Sequence, residues 1–105
     1  MSTIVPDAER LAERVGSAYW GIAFDHAVAQ FVQLLATVPD YPPSEVTAAD
    51  VETLRRRADE VIQQIERRLD EHGDRQSVER HLAGAVYSIR RKTESIVVWH
   101  RHSSA

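Results

Sequence analysis

Residues 18–38 form the most apolar stretch of the chain, with 15 of 21 residues hydrophobic. The polar residues at positions 26, 30, 33 and 37 recur at helical spacing, so in a helix they form one narrow polar stripe. An ordinary surface helix buries an apolar stripe about 100° wide, whereas this helix would be apolar around most of its circumference. The fold therefore has to cover nearly the whole helix.

Two breaks divide the 105-residue chain. Three prolines stand among the five residues 39–43, and no helix continues through them. At Gly73-Asp74, a glycine suited to end one helix precedes a residue suited to cap the next. We expect a single all-α domain, folded as a three-helix antiparallel bundle. The predicted segments are helices at about 7–37, 48–72 and 75–99, a Pro-rich loop at 38–46 and a frayed tail at 100–105.

Local signals refine two of these helices. Thr47 is suited to be the N-cap of the second helix, with Asp50 at the capping-box position that Glu or Gln usually occupies. In the first helix, Gly16 and Gly21 each weaken the helix by about 1 kcal/mol relative to alanine, unless they mark the close approach of a neighbouring helix.

The apolar first helix suggests self-association, because two flanking helices cannot cover so wide a face and an uncovered aromatic patch is a liability. A membrane span is disfavoured because the stretch includes Asp25, His26, Gln30 and Gln33. We expect a homodimer that buries the first helix against its mate. The alternatives are a surface for a different protein and a pocket for an apolar ligand. The candidate residues for this interface or pocket are Tyr19, Trp20, Phe24, His26, Phe31 and Leu35.

Charge is distributed unevenly along the chain. The net charge is −3, yet residues 75–105 carry six Lys or Arg against two Glu. This asymmetry predicts either attraction between the acidic first helix and the basic last helix or binding of an acidic partner. Arg90, Arg91 and Lys92 are the candidate basic partner face. The acidic chain and the lack of a known motif make nucleic acid an unlikely partner.

Few residues point to catalysis or metal binding. The absence of cysteine excludes disulfides, thiolate metal sites and cysteine nucleophiles. The five histidines form neither an HExxH motif nor a Glu-x-x-His pair, so we expect no metal, no cofactor and no catalytic residue. No basic segment followed by an apolar run opens the sequence, so we expect a cytoplasmic protein.

One short spacing suggests an enzyme. Arg67 is followed by His72 with four residues between them. This spacing resembles the Arg-x4–6-His signature of the HEPN ribonucleases, a family of small helical dimers. The resemblance implies that Arg67 binds phosphate and that His72 acts as the base. Arg68 stands where the family usually has a polar residue.

The function expected from these features is that of a small, non-catalytic, self-associating interaction or regulatory module that binds another protein. One alternative is a small-molecule-binding bundle with an apolar pocket around Trp20, Phe24 and His26. The others are a HEPN-like ribonuclease and a nucleic-acid-binding protein.

Overall fold

The computed structural model describes residues 4–18, 22–38, 47–72 and 76–103, without the side chains of residues 72, 76–81, 102 and 103. These ranges contain four α-helices and no strand, so the all-α class is confirmed and the predicted count of three helices is wrong. The helices are α1 (Ile4–Ser17), α2 (Ile22–Thr37), α3 (Ala48–His72) and α4 (Gln76–Ser103).

The predicted first helix is divided into α1 and α2. At the end of α1, the backbone N–H of Ala18 donates to the carbonyl of Arg14 at 3.0 Å. The hydroxyl of Ser17 donates to the same carbonyl at 3.3 Å. These bonds satisfy one of the carbonyls that a helix end leaves without a partner. Because α1 packs against α2, the chain reverses between them instead of continuing as one helix.

The four helices form two hairpins that lie side by side. α1 packs against α2 and α3, and α4 packs against α2 and α3. Ile4, Val38, Val51 and Ile96 meet at one end of the bundle, where α1 and α3 begin and α2 and α4 end. Each hairpin is therefore antiparallel, with α1 parallel to α3 and α2 parallel to α4. The bundle measures 46 × 21 × 18 Å.

All four helices contribute to one core. Its members are removed almost completely from water. α1, α2 and α3 supply them mainly at the three- and four-residue spacing of a buried helical face, and α4 supplies Leu82 and Ile89, seven residues apart on the same face. The largest fully buried side chains of this core cluster are Val15 of α1, Phe24, Val28, Phe31 and Leu35 of α2, Val61 and Ile65 of α3, and Leu82 and Ile89 of α4.

The start of α3 is the capping box predicted from the sequence. The backbone N–H of Asp50 donates to the Thr47 hydroxyl oxygen at 3.1 Å. In return, the backbone N–H of Thr47 donates to the Asp50 carboxylate at 3.0 Å. Aspartate thus serves at a position where Glu or Gln is usual, and two N–H groups at the start of the helix gain acceptors.

An arginine on α3 ties that helix to α1. The Arg57 guanidinium donates to Glu9 of α1 at 3.0 Å and to Glu60 one turn further along α3 at 2.9 Å. Its side chain is only 20% exposed. The hydrogen bonds to Glu60 and then Glu9 raise the pKa of Arg57 above its ordinary value. The Arg57–Glu9 ion pair thus joins α1 to α3 in their parallel alignment.

The last helix extends beyond its predicted end. α4 continues through Trp99 to Ser103, four residues past its predicted end. Ile96 is buried with Val38 and Val51, which anchors the final turns of α4 to the bundle. His100 and Arg101 also suit the negative end of a helix dipole.

We expect Gly16→Ala to raise the free energy of unfolding by about 0.5–1 kcal/mol, because glycine is entropically costly within a helix. A Cβ at Gly16 meets no atom within 4 Å, so the close-approach interpretation of this glycine is wrong. Gly84 lies in the same open surroundings and is a second test position. Chemical denaturation followed by circular dichroism measures the effect, and a loss of stability in both variants would contradict it.

We expect Thr47→Ala to lower the free energy of unfolding by about 1 kcal/mol, because α3 loses its N-cap acceptor. Thr53→Ala is the matched control, since the Thr53 hydroxyl donates to the Ala49 carbonyl inside the helix and caps nothing. Equal losses in the two variants, measured by urea denaturation, would show that the cap has no special role.

Candidate interaction surface

Three of the six residues predicted to form a self-interface on the first helix lie in the core. Phe24 and Phe31 are 0% exposed and Leu35 is 1% exposed. The expectation that one chain cannot cover this face is wrong for these three, because α1 and α4 both pack against α2. His26 is exposed. Tyr19 and Trp20 lie outside the described residues.

The ring of Phe24 is covered at the end of the bundle by an arginine. The Arg68 guanidinium carbon lies 4.9 Å from the centre of the Phe24 ring, in the geometry of a cation–π interaction. Arg68 is half-buried. This contact further closes the region where an apolar ligand pocket around Phe24 was considered.

The three cations that were predicted to form a basic face project in different directions from α4. Consecutive helix residues project about 100° apart, so Arg90, Arg91 and Lys92 cannot point the same way. Arg90 donates to Glu66 of α3 at 2.8 Å, and Arg91 donates to the Tyr87 hydroxyl at 3.0 Å. Lys92 lines a small groove between α2 and α4. Arg90 and Arg91 line one groove together, and Arg91 and Lys92 line another, so the three cations do not all face the same groove.

An extensive concave surface follows the outer side of the α3–α4 hairpin. Two open grooves, of about 660 and 350 Å³, share Arg90 and Glu94 and continue one into the other. We call the combined surface the α3–α4 groove. Its apolar lining consists of Leu69, Val86 and Tyr87 in the larger part, and of Ile62, Val97 and Val98 in the smaller part.

Large apolar side chains are unusually exposed along this groove. Tyr87 is 62% exposed and Val98 is 44% exposed, whereas Leu69, Val86 and Val97 are half-buried. The other exposed large apolar residue among the described side chains is Ile22, which is 82% exposed at the start of α2 and does not line the groove. The groove therefore concentrates apolar surface that the bundle leaves in water.

Charges of both signs surround this apolar surface. The lining includes four arginines, at positions 55, 90, 91 and 101, and three carboxylates, at positions 59, 66 and 94. A surface that binds nucleic acid concentrates positive charge to neutralise phosphates. Mixed charge around apolar residues is instead typical of the rim of a protein interface.

Arg55 and Glu52 form an ion pair on the surface of α3. The side-chain hydrogen bonds from Arg55 lower the pKa of the exposed Glu52 carboxyl and raise the pKa of Arg55 itself. The two side chains meet at 2.7 Å, one turn apart on the helix surface. Such i,i+3 pairs stabilise a helix and do not by themselves indicate catalysis.

Of Arg67 and His72, only Arg67 has a described side chain. Arg67 is exposed and donates to Gln64 at 2.6 Å, one turn before it in α3. The His72 side chain lies outside the described residues, so the resemblance to HEPN ribonucleases stays a prediction. Within the part of the chain that is described, no group of three or more His, Asp or Glu is arranged to hold a metal ion.

Comparison with known proteins gives no match for this chain. No family model, no curated protein and no solved structure matches it. Across the described ranges, no helix combines the length and the apolar character needed to cross a membrane. The function therefore has to be inferred from the side chains and surfaces of this chain.

We expect Phe31→Ala to lower the free energy of unfolding by about 3–5 kcal/mol, because it leaves a cavity in the core. His26→Ala, an exposed position on the same helix, should change it by less than about 0.5 kcal/mol. Urea denaturation gives both values. Unchanged stability of Phe31→Ala would place Phe31 at a surface instead of in the core.

Proposed function

We propose that this chain is a small, non-catalytic, self-associating helical interaction module, and that a second copy of the chain binds in the α3–α4 groove. The observation that carries the proposal is the exposure of Tyr87 and Val98 on one side of α4, where they line the groove. Burying such side chains against a partner removes apolar area from water at about 25 cal/mol per Å².

The shape of the groove supports a helical occupant. Both walls are helices, α3 and α4, and a groove between two helices accepts the apolar face of a third. A second copy offers such a face on its own α4, where Tyr87 and Val98 are exposed. The same surface can therefore be both receptor and ligand, as in a two-fold symmetric dimer.

The charges of the groove support a second copy over a highly charged partner. A two-fold interface brings a surface against itself, so it needs both signs of charge on the same surface. Asp59, Glu66 and Glu94 supply the negative side chains, and the four groove arginines supply the positive ones. A strongly acidic or strongly basic partner would leave one of these sets facing charges of its own sign.

The test compares the mass in solution of the wild-type chain and two variants, by light scattering over a concentration series. Tyr87→Glu with Val98→Glu places two carboxylates in the groove. Ile22→Glu is the matched control, since Ile22 is the most exposed large apolar residue among the described side chains and lies on α2 outside the groove. Circular dichroism melting of each variant shows whether the bundle remains folded.

We expect a wild-type dimer, a folded monomer for the groove variant and a dimer for Ile22→Glu. A wild-type chain that stays monomeric at all concentrations would overturn self-association. A dimer that survives in the groove variant and is lost in Ile22→Glu would move the interface to α2.

A further inference from the structure

The outer side of α4 carries a regular seam of its own. Residues 83, 87, 90, 94, 97 and 101 are separated by four, three, four, three and four positions, which is the a/d spacing of a coiled coil. All six line the α3–α4 groove, and all are exposed or half-buried. We call this set the outer seam. It is distinct from the buried face of α4 that includes Leu82, Ile89 and Ile96.

The outer seam is symmetric about its centre. We propose that a second copy lays its α4 antiparallel along this seam, with a two-fold axis midway between Arg90 and Glu94, an inference that rests on the proposed self-association. In this register Arg90 faces the partner's Glu94, Tyr87 faces the partner's Val97, and Ala83 faces the partner's Arg101. Each of these pairs occurs twice, because the axis exchanges the two copies.

The charges at the centre select the antiparallel orientation. A parallel pairing in register places Arg90 against Arg90 and Glu94 against Glu94, and both contacts are repulsive. The antiparallel pairing converts the same residues into two ion pairs. Charge complementarity thus acts against the wrong orientation as well as for the right one.

Arg90 has N–H donors, and Glu94 has carboxylate acceptors, that can bind a second copy. Within the described structure, the Glu94 carboxylate makes no hydrogen bond or ion pair. Arg90 donates one of its several N–H groups to Glu66 at 2.8 Å. That contact holds the guanidinium over the groove, and its other N–H groups remain for the partner's Glu94.

The residue pairs on either side of the centre of the outer seam also match in size. Tyr87 supplies a large, exposed ring opposite a half-buried valine. Ala83 leaves room for the stem of an arginine, whose methylene groups pack on apolar surface while the guanidinium stays in water. Small residues oppose long ones at both ends, and apolar residues oppose each other between them.

A charge-exchange experiment tests the central pair. Arg90→Glu alone and Glu94→Arg alone should each raise the dissociation constant of the dimer at least tenfold, because each creates two like-charge contacts. Arg90→Glu combined with Glu94→Arg in one chain should bind at least tenfold more tightly than Arg90→Glu alone, since the ion pairs re-form with their signs exchanged and the lost Arg90–Glu66 contact is common to both variants. Arg10→Glu makes the same charge change on α1 and is the control.

Cross-linking tests the register with an independent readout, using a chain that has no cysteine of its own. A mixture of Tyr87→Cys and Val97→Cys chains should form a disulfide-linked dimer under mild oxidation. Tyr87→Cys alone should not, because residues 87 of the two copies are separated by about 15 Å along the helix axis in the antiparallel register. In a parallel, in-register dimer, Tyr87→Cys alone would cross-link, and the mixture would form no disulfide between residues 87 and 97.

The outcomes separate the two proposals. A monomeric wild-type chain overturns both. In a second case, the wild type is a dimer and the Tyr87→Glu, Val98→Glu variant dissociates it. If the charge-exchanged double variant then stays weak, or if Tyr87→Cys chains cross-link to each other, only the antiparallel register is overturned. Restored affinity in the double variant together with cross-linking only in the mixture supports it.

Discussion

The apolar side chains of α2 have to be removed from water, and the bundle achieves this by packing α1 and α4 against α2. Phe24, Phe31 and Leu35 are fully buried as a result. Burial of side chains of this size contributes about 1.5–3 kcal/mol each. Ending α1 and starting α2 anew gives up a few backbone hydrogen bonds, each worth about 1 kcal/mol net. The balance favours a hairpin over one long helix, and the rest of the topology depends on that reversal.

The same reversal decides which surface stays uncovered. α1 and α2 have 14 and 16 residues, whereas α3 and α4 have 25 and 28. The short hairpin packs on one side of the long hairpin, and no described element covers the other side. Apart from Ile22 of α2, the exposed large apolar side chains that are described therefore lie on α4, along the α3–α4 groove. The sequence predicts self-association at the first helix, and we propose the α3–α4 groove as its site instead.

Two ion pairs join other helices to α3. Glu9 of α1 pairs with Arg57, and Arg90 of α4 pairs with Glu66. The acidic beginning and the basic end of the chain thus each pair with α3, while α1 and α4 occupy opposite corners of the bundle. The Arg90–Glu66 pair is more than half exposed on both sides, and such pairs contribute about 0–1 kcal/mol. Their clearer effect is to orient side chains, as Glu66 does for Arg90 at the groove.

The sequence by itself determined the features that neighbouring residues control. Thr47 and Asp50 specify the start of α3, and the three-four spacing of apolar residues specifies its buried face, because caps and periodicity act within a few residues. The break between α1 and α2 and the extension of α4 past Trp99 were decided only by tertiary packing, in which burial outweighs propensities of about 1 kcal/mol per residue. The same distinction between sequence and tertiary packing applies to the candidate site. The heptad spacing of the outer seam is present in the sequence, but only the packing of the two hairpins shows that this side of α4 faces water, because exposure depends on which helices cover which face.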